Sequence, residues 1–468
     1  MTENIAQPLR PVGMLEKWST VRHNLSFYIN VIITARYTTP TSTPLTKPTL
    51  YRALTTLLTT HPHLTTTVLN EHTPHPTFAR LPTVDLNDLV TTTRLHAPTT
   101  SPAAELAELD SILSSQHNTK FHNLGRLPLW RLVLITPHTP DSAGRGVDLA
   151  FIYHHALGDG ATGLAFHRAL LRALNSPSPH GEGEEEVDSV VVPPELPLPP
   201  PLEGLVSLST SMSRMWSLLW SLKSAVVVAA GHWSGGPIQI PLKNVIRTVV
   251  FPAGVVAGVV GACRREGTTV TALLQAVLAR AFFGVLEEGG EEGWQTLSTT
   301  AAIDMRRFIP GAGEDTMGVL VCSVPVVHER EATADVWAVA KRCGAVLRRA
   351  VEAGTKDTDT GLLKYLSDYE KYFLGKLGTR REHSIEVSNL GVLKNTSEEQ
   401  GGWGISRAIF SQSASVTGCA VEFSVVSVAG GEMCVCVCVQ EGIIEEGVLA
   451  GAVRAFEAAL VELAGVSE

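Results

Sequence analysis

The chain has 468 residues, of which 44% are hydrophobic and 18% are charged, and its formal net charge is −9. This composition is typical of a globular protein with a large core, and the length fits two or three domains. The negative charge argues against a nucleic-acid-binding surface. The seven cysteines are odd in number and lack Cys-x-x-Cys spacing, which argues against a disulfide framework and a zinc site. The polar start, residues 1–7, gives no sign of a secretory signal.

The first 175 residues are predicted to alternate between strands and helices. Runs rich in β-branched, aromatic or aliphatic residues predict strands at 27–37, 127–135 and 147–152. Leucines at helical spacing predict one helix that begins near Pro48 and a second helix from Leu164 to Leu174. This order predicts a lobe in which helices lie against a sheet.

The middle of the chain differs in composition from both ends. Pro, Gly, Glu and Ser dominate residues 176–201, which predicts a linker. Apolar residues then recur at alternating spacings of three and four between 205 and 226, which predicts an amphipathic helix. Arg214 and Lys223 interrupt it, so it falls short of the roughly 20 apolar residues of a membrane span. A helix packed on the protein, a lid over a binding site and a membrane-surface helix all remain open interpretations.

The second half again alternates between strands and helices. Strands are predicted at 301–307, 318–327, 384–390, 420–428 and 433–439, and the last two form a hairpin that turns at Gly430-Gly431. Helices are predicted at 267–281, 334–353 and 448–463. Cys434, Cys436 and Cys438 fall on one face of their strand. Because cysteine behaves as a small hydrophobe, a column of buried side chains is favoured there over metal or redox chemistry.

Residues 151–160 read Phe-Ile-Tyr-His-His-Ala-Leu-Gly-Asp-Gly, at the junction between a predicted strand and the helix after it. Such a junction can hold an imidazole at the mouth of a cleft, among apolar side chains that moderate its protonation. Neighbours on a strand point in opposite directions, so we expect His154 to be a packing residue. A functional role is favoured for His155, because Asp159 and Gly160 both follow it at the spacing of the motif. The same divergence, without a third ligand at suitable spacing, argues against a metal site.

The pattern His-His-x-x-x-Asp-Gly is shared by chloramphenicol acetyltransferase, the BAHD acyltransferases, peptide-synthetase condensation domains and the fungal alcohol acetyltransferases. The sequence resembles the last of these over nearly its whole length. The BAHD signature Asp-Phe-Gly-Trp-Gly is missing except for its last residues, in 401–404, and we find no fused carrier-protein segment. The resemblance rests on the motif and on Arg10-Pro-Val-Gly13, Asp304-Met-Arg306, Ser388-Asn-Leu-Gly391, Trp403 and Phe410-Ser-Gln-Ser413.

The resemblance implies an α/β (α+β) fold of two chloramphenicol acetyltransferase-like lobes, each a mixed sheet flanked by helices. The first lobe would be residues 1–175, the linker and amphipathic helix 176–237, and the second lobe 238–468. It also implies that acyl-CoA, with acetyl-CoA as the expected co-substrate, and an alcohol enter a tunnel between the lobes from opposite sides. No metal is implied.

The resemblance assigns roles to the motif residues as well. His155 stands at the position of the family's catalytic base. Asp159 and Gly160 stand at structural positions, and Arg306 is the best candidate to pair with Asp159. An unperturbed histidine titrates near ~6.5, so His155 can take a proton from a hydroxyl and return it to a thiolate. A role for Asp159 in orienting His155, as in a catalytic triad, is the alternative.

The oxyanion that forms during acyl transfer needs a hydrogen-bond donor. The candidates for this donor, or for the tunnel wall, are His154, Trp403, Ser411, Gln412 and Ser413. Ordinary hydrogen bonding within a strand is the alternative for residues 411–413.

The predicted activity is the transfer of an acetyl or other short acyl group to a small-molecule alcohol in fungal secondary metabolism. An N-acyltransferase, a carrier-protein-dependent condensation enzyme and a binding protein without activity are the alternatives. We expect a cytoplasmic monomer without a nucleic-acid partner, and peripheral contact of residues 205–226 with endoplasmic reticulum or lipid-droplet membranes is a further expectation. The sequence does not indicate the acceptor or the acyl chain length.

Overall fold

The computed structural model describes residues 5–38, 45–96, 101–138, 146–176, 188–216, 231–286, 293–394 and 402–465. Its helices are α1 (Met14–Asn24), α2 (Lys47–Thr60), α3 (Pro102–His117), α4 (Gly160–Asn175), α5 (Leu202–Leu205), α6 (Ala253–Glu266), α7 (Val270–Val285), α8 (Val336–Ala353), α9 (Asp359–Leu362), α10 (Tyr369–Leu374) and α11 (Glu446–Ala464). Its strands are β1 (Gln7–Pro11), β2 (Val31–Thr38), β3 (Thr66–Leu69), β4 (Thr77–Arg80), β5 (Val84–Asp85), β6 (Val90–Arg94), β7 (Trp130–Thr136), β8 (Val147–Tyr153), β9 (Val190–Val191), β10 (His232–Trp233), β11 (Asn244–Phe251), β12 (Thr296–Asp304), β13 (Val321–Glu329), β14 (Ile385–Leu393), β15 (Gly404–Gln412), β16 (Val421–Val428) and β17 (Met433–Gln440).

Two mixed sheets form the framework of the molecule. The first has five strands in the order β15-β2-β8-β7-β6, and the second has seven, β10-β12-β14-β16-β17-β11 with β13 added beside β12. Parallel and antiparallel pairs occur in both sheets. Helices α2 and α4 lie against the first sheet, and α7, α8 and α11 against the second. The predicted fold class, mixed sheets flanked by helices, is therefore confirmed.

An apolar interface joins the two sheets. Ile32 and Ile152 from the first sheet meet Cys434, Cys436 and Cys438 from the second in one buried cluster, together with residues of α3. All three cysteines are buried as free thiols. Because every second residue of β17 points the same way, the small cysteine side chains present one smooth face to the other lobe.

One strand departs from the predicted division of the chain. Strand β15 belongs by sequence to the predicted second lobe, yet it pairs with β2 of the first sheet from Gly404 opposite Thr38 to Gln412 opposite Val31. This pairing covers a strand edge that would otherwise expose its backbone groups. The first sheet is thus completed by a segment from beyond residue 238, and the two halves of the chain are interlocked.

The predicted amphipathic helix at 205–226 is not continuous. Helix α5 ends at Leu205, and Val206 has extended backbone angles of −140° and 152°. The backbone that follows α5 forms a hydrogen bond with a distant segment, because the Asp357 N–H donates to the Ser209 carbonyl at 2.8 Å. Helical residues resume at 212–216, where Met212 and Trp216 are exposed. Residues 217–226 of the predicted helix lie outside the described residues, so its function stays open.

Within the described part of the chain, we find no single helix that is both long and apolar enough to cross a bilayer. Helices α6 and α7 satisfy that criterion only when taken together, and a bend of 99° separates them. Most of α7 is buried in the core of the second lobe, and this burial accounts for its apolar composition.

Gly163 tests how tightly α4 packs on the first sheet. A Cβ atom there would overlap Ile33 Cγ1, whereas one at the exposed helical Gly284 would meet nothing within 4 Å. We expect Gly163→Ala to lower the free energy of unfolding by about 1–3 kcal/mol. The matched control Gly284→Ala should raise it by up to about 1 kcal/mol. Urea unfolding measures both, and similar effects of the two substitutions would contradict this packing.

Candidate active site

The spacing of the motif corresponds to a tight turn between β8 and α4. Strand β8 ends at Tyr153, and α4 begins at Gly160 with Asp159 as its N-cap. The Asp159 side chain accepts a hydrogen bond from the Thr162 N–H at 3.1 Å, as capping residues do. The Tyr153 hydroxyl donates to the Asp159 carbonyl at 2.7 Å. The backbone that carries both histidines is therefore fixed at its two ends.

Asp159 forms a bidentate ion pair with Arg306. Arg306 Nη1 lies 2.9 Å from Asp159 Oδ2, and Nη2 lies 2.9 Å from Oδ1. The Leu320 N–H also donates to Oδ2 at 2.9 Å. Burial alone would raise the pKa of Asp159, but Arg306 and these N–H donors lower it below its usual value. The carboxylate is saturated by groups other than His155, so the geometry does not support a triad.

Gly160 lets the second lobe approach the motif. A Cβ atom at this position would lie 2.7 Å from Leu390 Cδ2 and 3.1 Å from Phe410 Cζ. These distances are shorter than ordinary van der Waals contacts, so a larger residue would push the turn away from β14 and β15. The motif glycine is thus explained by close packing.

His154 belongs to a buried cluster with Glu71 and His23. His154 Nε2 lies 3.0 Å from Glu71 Oε1, and His23 Nδ1 lies 2.9 Å from the same oxygen. Backbone N–H groups donate to the remaining ring nitrogens, Ala156 to His154 Nδ1 and Phe121 to His23 Nε2. The protons therefore reside on the two nitrogens that face Glu71. His154 is committed to this cluster, which leaves it neither an oxyanion donor nor a tunnel residue.

The pKa values in the cluster follow from burial and these hydrogen bonds. Burial alone would raise the pKa of Glu71, but the hydrogen bonds from His154 and His23 lower it to about 2. Burial lowers the pKa of His23 to about 4. The arrangement is a carboxylate held between two neutral imidazoles.

The same three residues are the one group among the described residues with the spacing of a metal site, because their ligand atoms lie within 4.8 Å of one another. A metal ion needs lone pairs on the ring nitrogens that face it. In His23 and His154 those nitrogens carry the protons, since the opposite nitrogens accept from backbone N–H groups. The residues present therefore do not fit a metal.

His155 differs from His154 in its exposure and in its hydrogen bonds. Its ring is half-buried and lies 5.3 Å from the Tyr28 ring, measured between centroids. Its Nδ1 is buried and has no hydrogen-bond partner among the residues described. Burial, followed by the positive charge of Arg22, lowers the pKa of His155 to about 4, although its own carbonyl acts in the other direction. The ring is therefore neutral at pH 7.

Of the three residues predicted near the end of β15, only Gln412 faces the surroundings of His155. Ser411 Oγ lies 2.9 Å from His117 Nε2, and Ser413 Oγ donates to Asn244 Oδ1 at 3.1 Å. Both serines are buried, and both contact residues outside the motif. Gln412 Oε1 accepts from the Tyr28 hydroxyl at 3.5 Å, so Gln412 is linked to the ring that contacts His155.

Trp403 lies at the opposite end of the first sheet from the motif, so the structure does not bring it to His155. Gln412 pairs with Val31, which in turn pairs with Tyr153, so this end of β15 adjoins the motif. The nine-residue length of β15 separates Trp403 from that end by about 30 Å of extended chain. Trp403 instead exchanges backbone hydrogen bonds with the side chain of Asn175 at the far end of α4.

Four functional neighbours of the motif were not predicted as such from sequence. His23 and Glu71 complete the His154 cluster, and Tyr28 and Arg22 surround His155. His23, Arg22 and Tyr28 fall at the start of the chain, where the sequence predicts a strand but carries no signal for the roles of individual residues. Glu71 lies 83 residues from His154, so only the folded structure brings the two together.

A cavity of about 180 Å³ lies behind the Asp159–Arg306 pair. It is lined by His63, prolines 199–201 and the loop residues 316–320, and His155 does not line it. The same loop supplies the Gly318 carbonyl and the Leu320 N–H that contact the ion pair. The cavity is therefore separate from the environment of His155.

Comparison with known proteins defines the class. The family model for alcohol acetyltransferases matches residues 109–457. A probable alcohol acetyltransferase of Aspergillus fumigatus, crmB, is 29% identical over 93% of this chain and 96% of its own length. Another from Fusarium pseudograminearum, FCK4, is 25% identical over 95% of this chain and 93% of its own.

Solved structures show the same fold at low sequence identity. The trichothecene 15-O-acetyltransferase TRI3 of Fusarium sporotrichioides superposes with a TM-score of 0.71 at 16% identity, over 97% of this chain and 94% of that one. The first condensation domain of the calcium-dependent antibiotic synthetase superposes with a TM-score of 0.63 at 14% identity, over 98% of each chain.

The fold and the motif site together define a CoA-dependent acyltransferase. More narrowly, the chain belongs to the alcohol acetyltransferase family, as its sequence predicted. It is an enzyme that transfers an acyl group from a coenzyme A thioester to an alcohol.

The buried ion pair yields a stability prediction. Arg306→Met leaves the Asp159 carboxylate buried without its partner, so we expect the free energy of unfolding to fall by about 3–5 kcal/mol. The adjacent Arg307 is exposed and donates to the Asp304 carbonyl. Arg307→Met should therefore change the free energy of unfolding by no more than about 0.5 kcal/mol. Chemical denaturation compares the two, and equal losses would show that the ion pair does not hold the motif.

Proposed function

We propose that this enzyme transfers an acetyl or other short acyl group from acyl-CoA to the hydroxyl of a small-molecule alcohol, with His155 as the general base. The observation that carries the proposal is the contrast between neighbouring residues. His154 and Asp159 are saturated by buried hydrogen bonds, whereas His155 Nδ1 has no partner among the described residues. His155 is the motif side chain that is left to handle a substrate proton.

The proposed chemistry uses one nitrogen of His155. A neutral imidazole carries one proton and one lone pair, and the proposal assigns the proton to Nδ1 and the lone pair to Nε2. Nε2 removes the proton of the acceptor hydroxyl as that oxygen attacks the thioester carbonyl. The C–S bond then breaks, and Nε2–H returns the proton to the departing thiolate. Base catalysis of this kind contributes roughly 10²–10⁴-fold to the rate.

Gln412 is our candidate for the oxyanion donor. Of the other candidates, Ser411, Ser413 and His154 are committed to contacts elsewhere, and Trp403 lies at the far end of β15. Gln412 Nε2 carries two N–H bonds and donates one to Glu386 Oε1 at 2.9 Å. The second N–H is available to the negative oxygen that develops in the transition state.

Substitution of the proposed base tests this function. We expect His155→Ala to lower kcat for acetyl transfer from acetyl-CoA to an alcohol by about 10²–10⁴-fold, because proton transfer is lost. The surface variant His72→Ala should retain the activity of the unmodified enzyme. Thiol release and mass spectrometry of products from an alcohol and amine panel measure the outcome. Retained transfer in His155→Ala, or transfer to amines alone, would contradict the proposal.

The lowered pKa of His155 predicts an unusual pH profile. The neutral ring is the active base, so activity is lost only when the pH falls through the pKa of about 4, instead of near ~6.5. The acid limb of kcat/KM should therefore lie near pH 4 in the free enzyme. Initial rates after brief exposure to each pH, with stability followed in parallel, measure it. A limb near pH 6.5 in folded enzyme would contradict the proposed environment of His155.

A further inference from the structure

The second sheet presents two carboxyl groups on the face that lies toward the first lobe. Ile385 and Val387 of β14 are in the core of the second lobe, so Glu386 between them points the other way. In β16, Glu422 alternates in the same manner with the core residues on either side. Glu386 and Glu422 are direct partners in the parallel register, so their backbones are about 4.8 Å apart.

A chain of contacts connects this carboxyl pair with His155. Glu386 accepts a hydrogen bond from Gln412 at 2.9 Å, and Gln412 accepts one from the Tyr28 hydroxyl at 3.5 Å. The Tyr28 ring lies 5.3 Å from the His155 ring. The Arg22 guanidinium lies over the Tyr28 ring, 4.5 Å from the ring centroid. These residues therefore border one region between the lobes.

Several polar atoms around that region are buried without a partner. Glu422 is 1% exposed, and only its Oε1 has a partner, the Ser415 N–H at 3.0 Å. Glu422 Oε2, Arg22 Nε and His155 Nδ1 have no hydrogen-bond partner in the described parts of the chain. Buried polar groups are normally satisfied, and an unsatisfied carboxyl or guanidinium group is especially costly. Three such atoms around one region indicate a polar ligand that meets them.

We propose that Glu422, Glu386 and Arg22 form a polar subsite that binds a second hydroxyl group of the acceptor, which makes the preferred substrate a diol or polyol. This inference rests on the proposed function, because it assigns the acceptor of the same reaction. A hydroxyl has both a donor and acceptor lone pairs, so one group can donate to Glu422 and accept from Arg22. A simple aliphatic alcohol leaves both unpaired, which such sites reject.

The charges around the subsite favour a neutral ligand group over an ammonium group. Burial, followed by the neighbouring Glu386, raises the pKa of Glu422 well above its usual value, and the Ser415 N–H, the buried Arg381 and Arg22 act in the opposite direction. Burial also raises the pKa of Glu386, and Gln412 and Arg22 lower it. Two adjacent carboxyl groups beside two guanidinium groups leave little net negative charge to attract a cation. A hydroxyl needs no compensating charge.

A matched series of acceptors tests the inference. Initial rates with acetyl-CoA are measured for 1-pentanol and for the 1,2-, 1,3-, 1,4- and 1,5-pentanediols. We expect at least one diol to exceed 1-pentanol in kcat/KM by tenfold or more, the scale of one hydrogen bond to a charged group. In Glu422→Leu that preference should fall to within about twofold, through loss of the diol rate. In Arg22→Met the ratio of the diol rate to the 1-pentanol rate should fall to within about twofold, whatever the change in the absolute rates. Glu432 lies in the turn of the β16–β17 hairpin and accepts a hydrogen bond from Arg407 of β15. The substitution Glu432→Leu is the control and should keep the preference.

The outcomes separate the two proposals. Transfer to 1-pentanol at a rate equal to or above that of every diol overturns the inference and leaves the proposed function standing. No transfer to any alcohol overturns the proposed function. An equal loss for 1-pentanol and diol in both subsite variants, with a lowered melting temperature, assigns these residues to folding alone and also overturns the inference.

Discussion

The bidentate ion pair between Asp159 and Arg306 is the constraint on which the rest of the site depends. It connects the turn that carries both histidines with the loop before β13, so a residue of one lobe fixes the geometry of the other. Both groups are almost fully buried, and an unpaired charge there would be expensive. The pair therefore keeps the motif turn against the second lobe.

Around this fixed turn, the two adjacent histidines are given different chemistry by their partners. Glu71 and a backbone N–H use both nitrogens of His154, so its ring is a structural element. His155 has an aromatic neighbour and a nearby positive charge in place of a carboxylate. Burial, and then the positive charge of Arg22, lowers the pKa of His155, so its ring is neutral and can accept a proton at neutral pH. The two histidines therefore differ because their neighbours differ, although the residue type is the same.

Local patterns in the sequence predict much of this structure because local physics decides it. Thr269 caps α7 as its position before an apolar helical run suggests, and the hairpin turns at Gly430-Gly431. Long-range pairing was not predictable in the same way. Nothing in the sequence near β15 shows that this strand completes the first sheet and so carries Trp403 away from the motif. The break after Leu205 depends on backbone contacts with residues about 150 positions away, which periodicity does not report.

The central claim is that the His155 imidazole, held between two interlocked lobes, passes a proton from an alcohol to a sulfur atom. A crystal structure with coenzyme A bound tests it most directly. The account predicts that the coenzyme sulfur lies about 3–4 Å from His155 Nε2, on the side bordered by Tyr28 and Gln412. A sulfur atom in the cavity behind Arg306, or anywhere out of reach of His155, would contradict it.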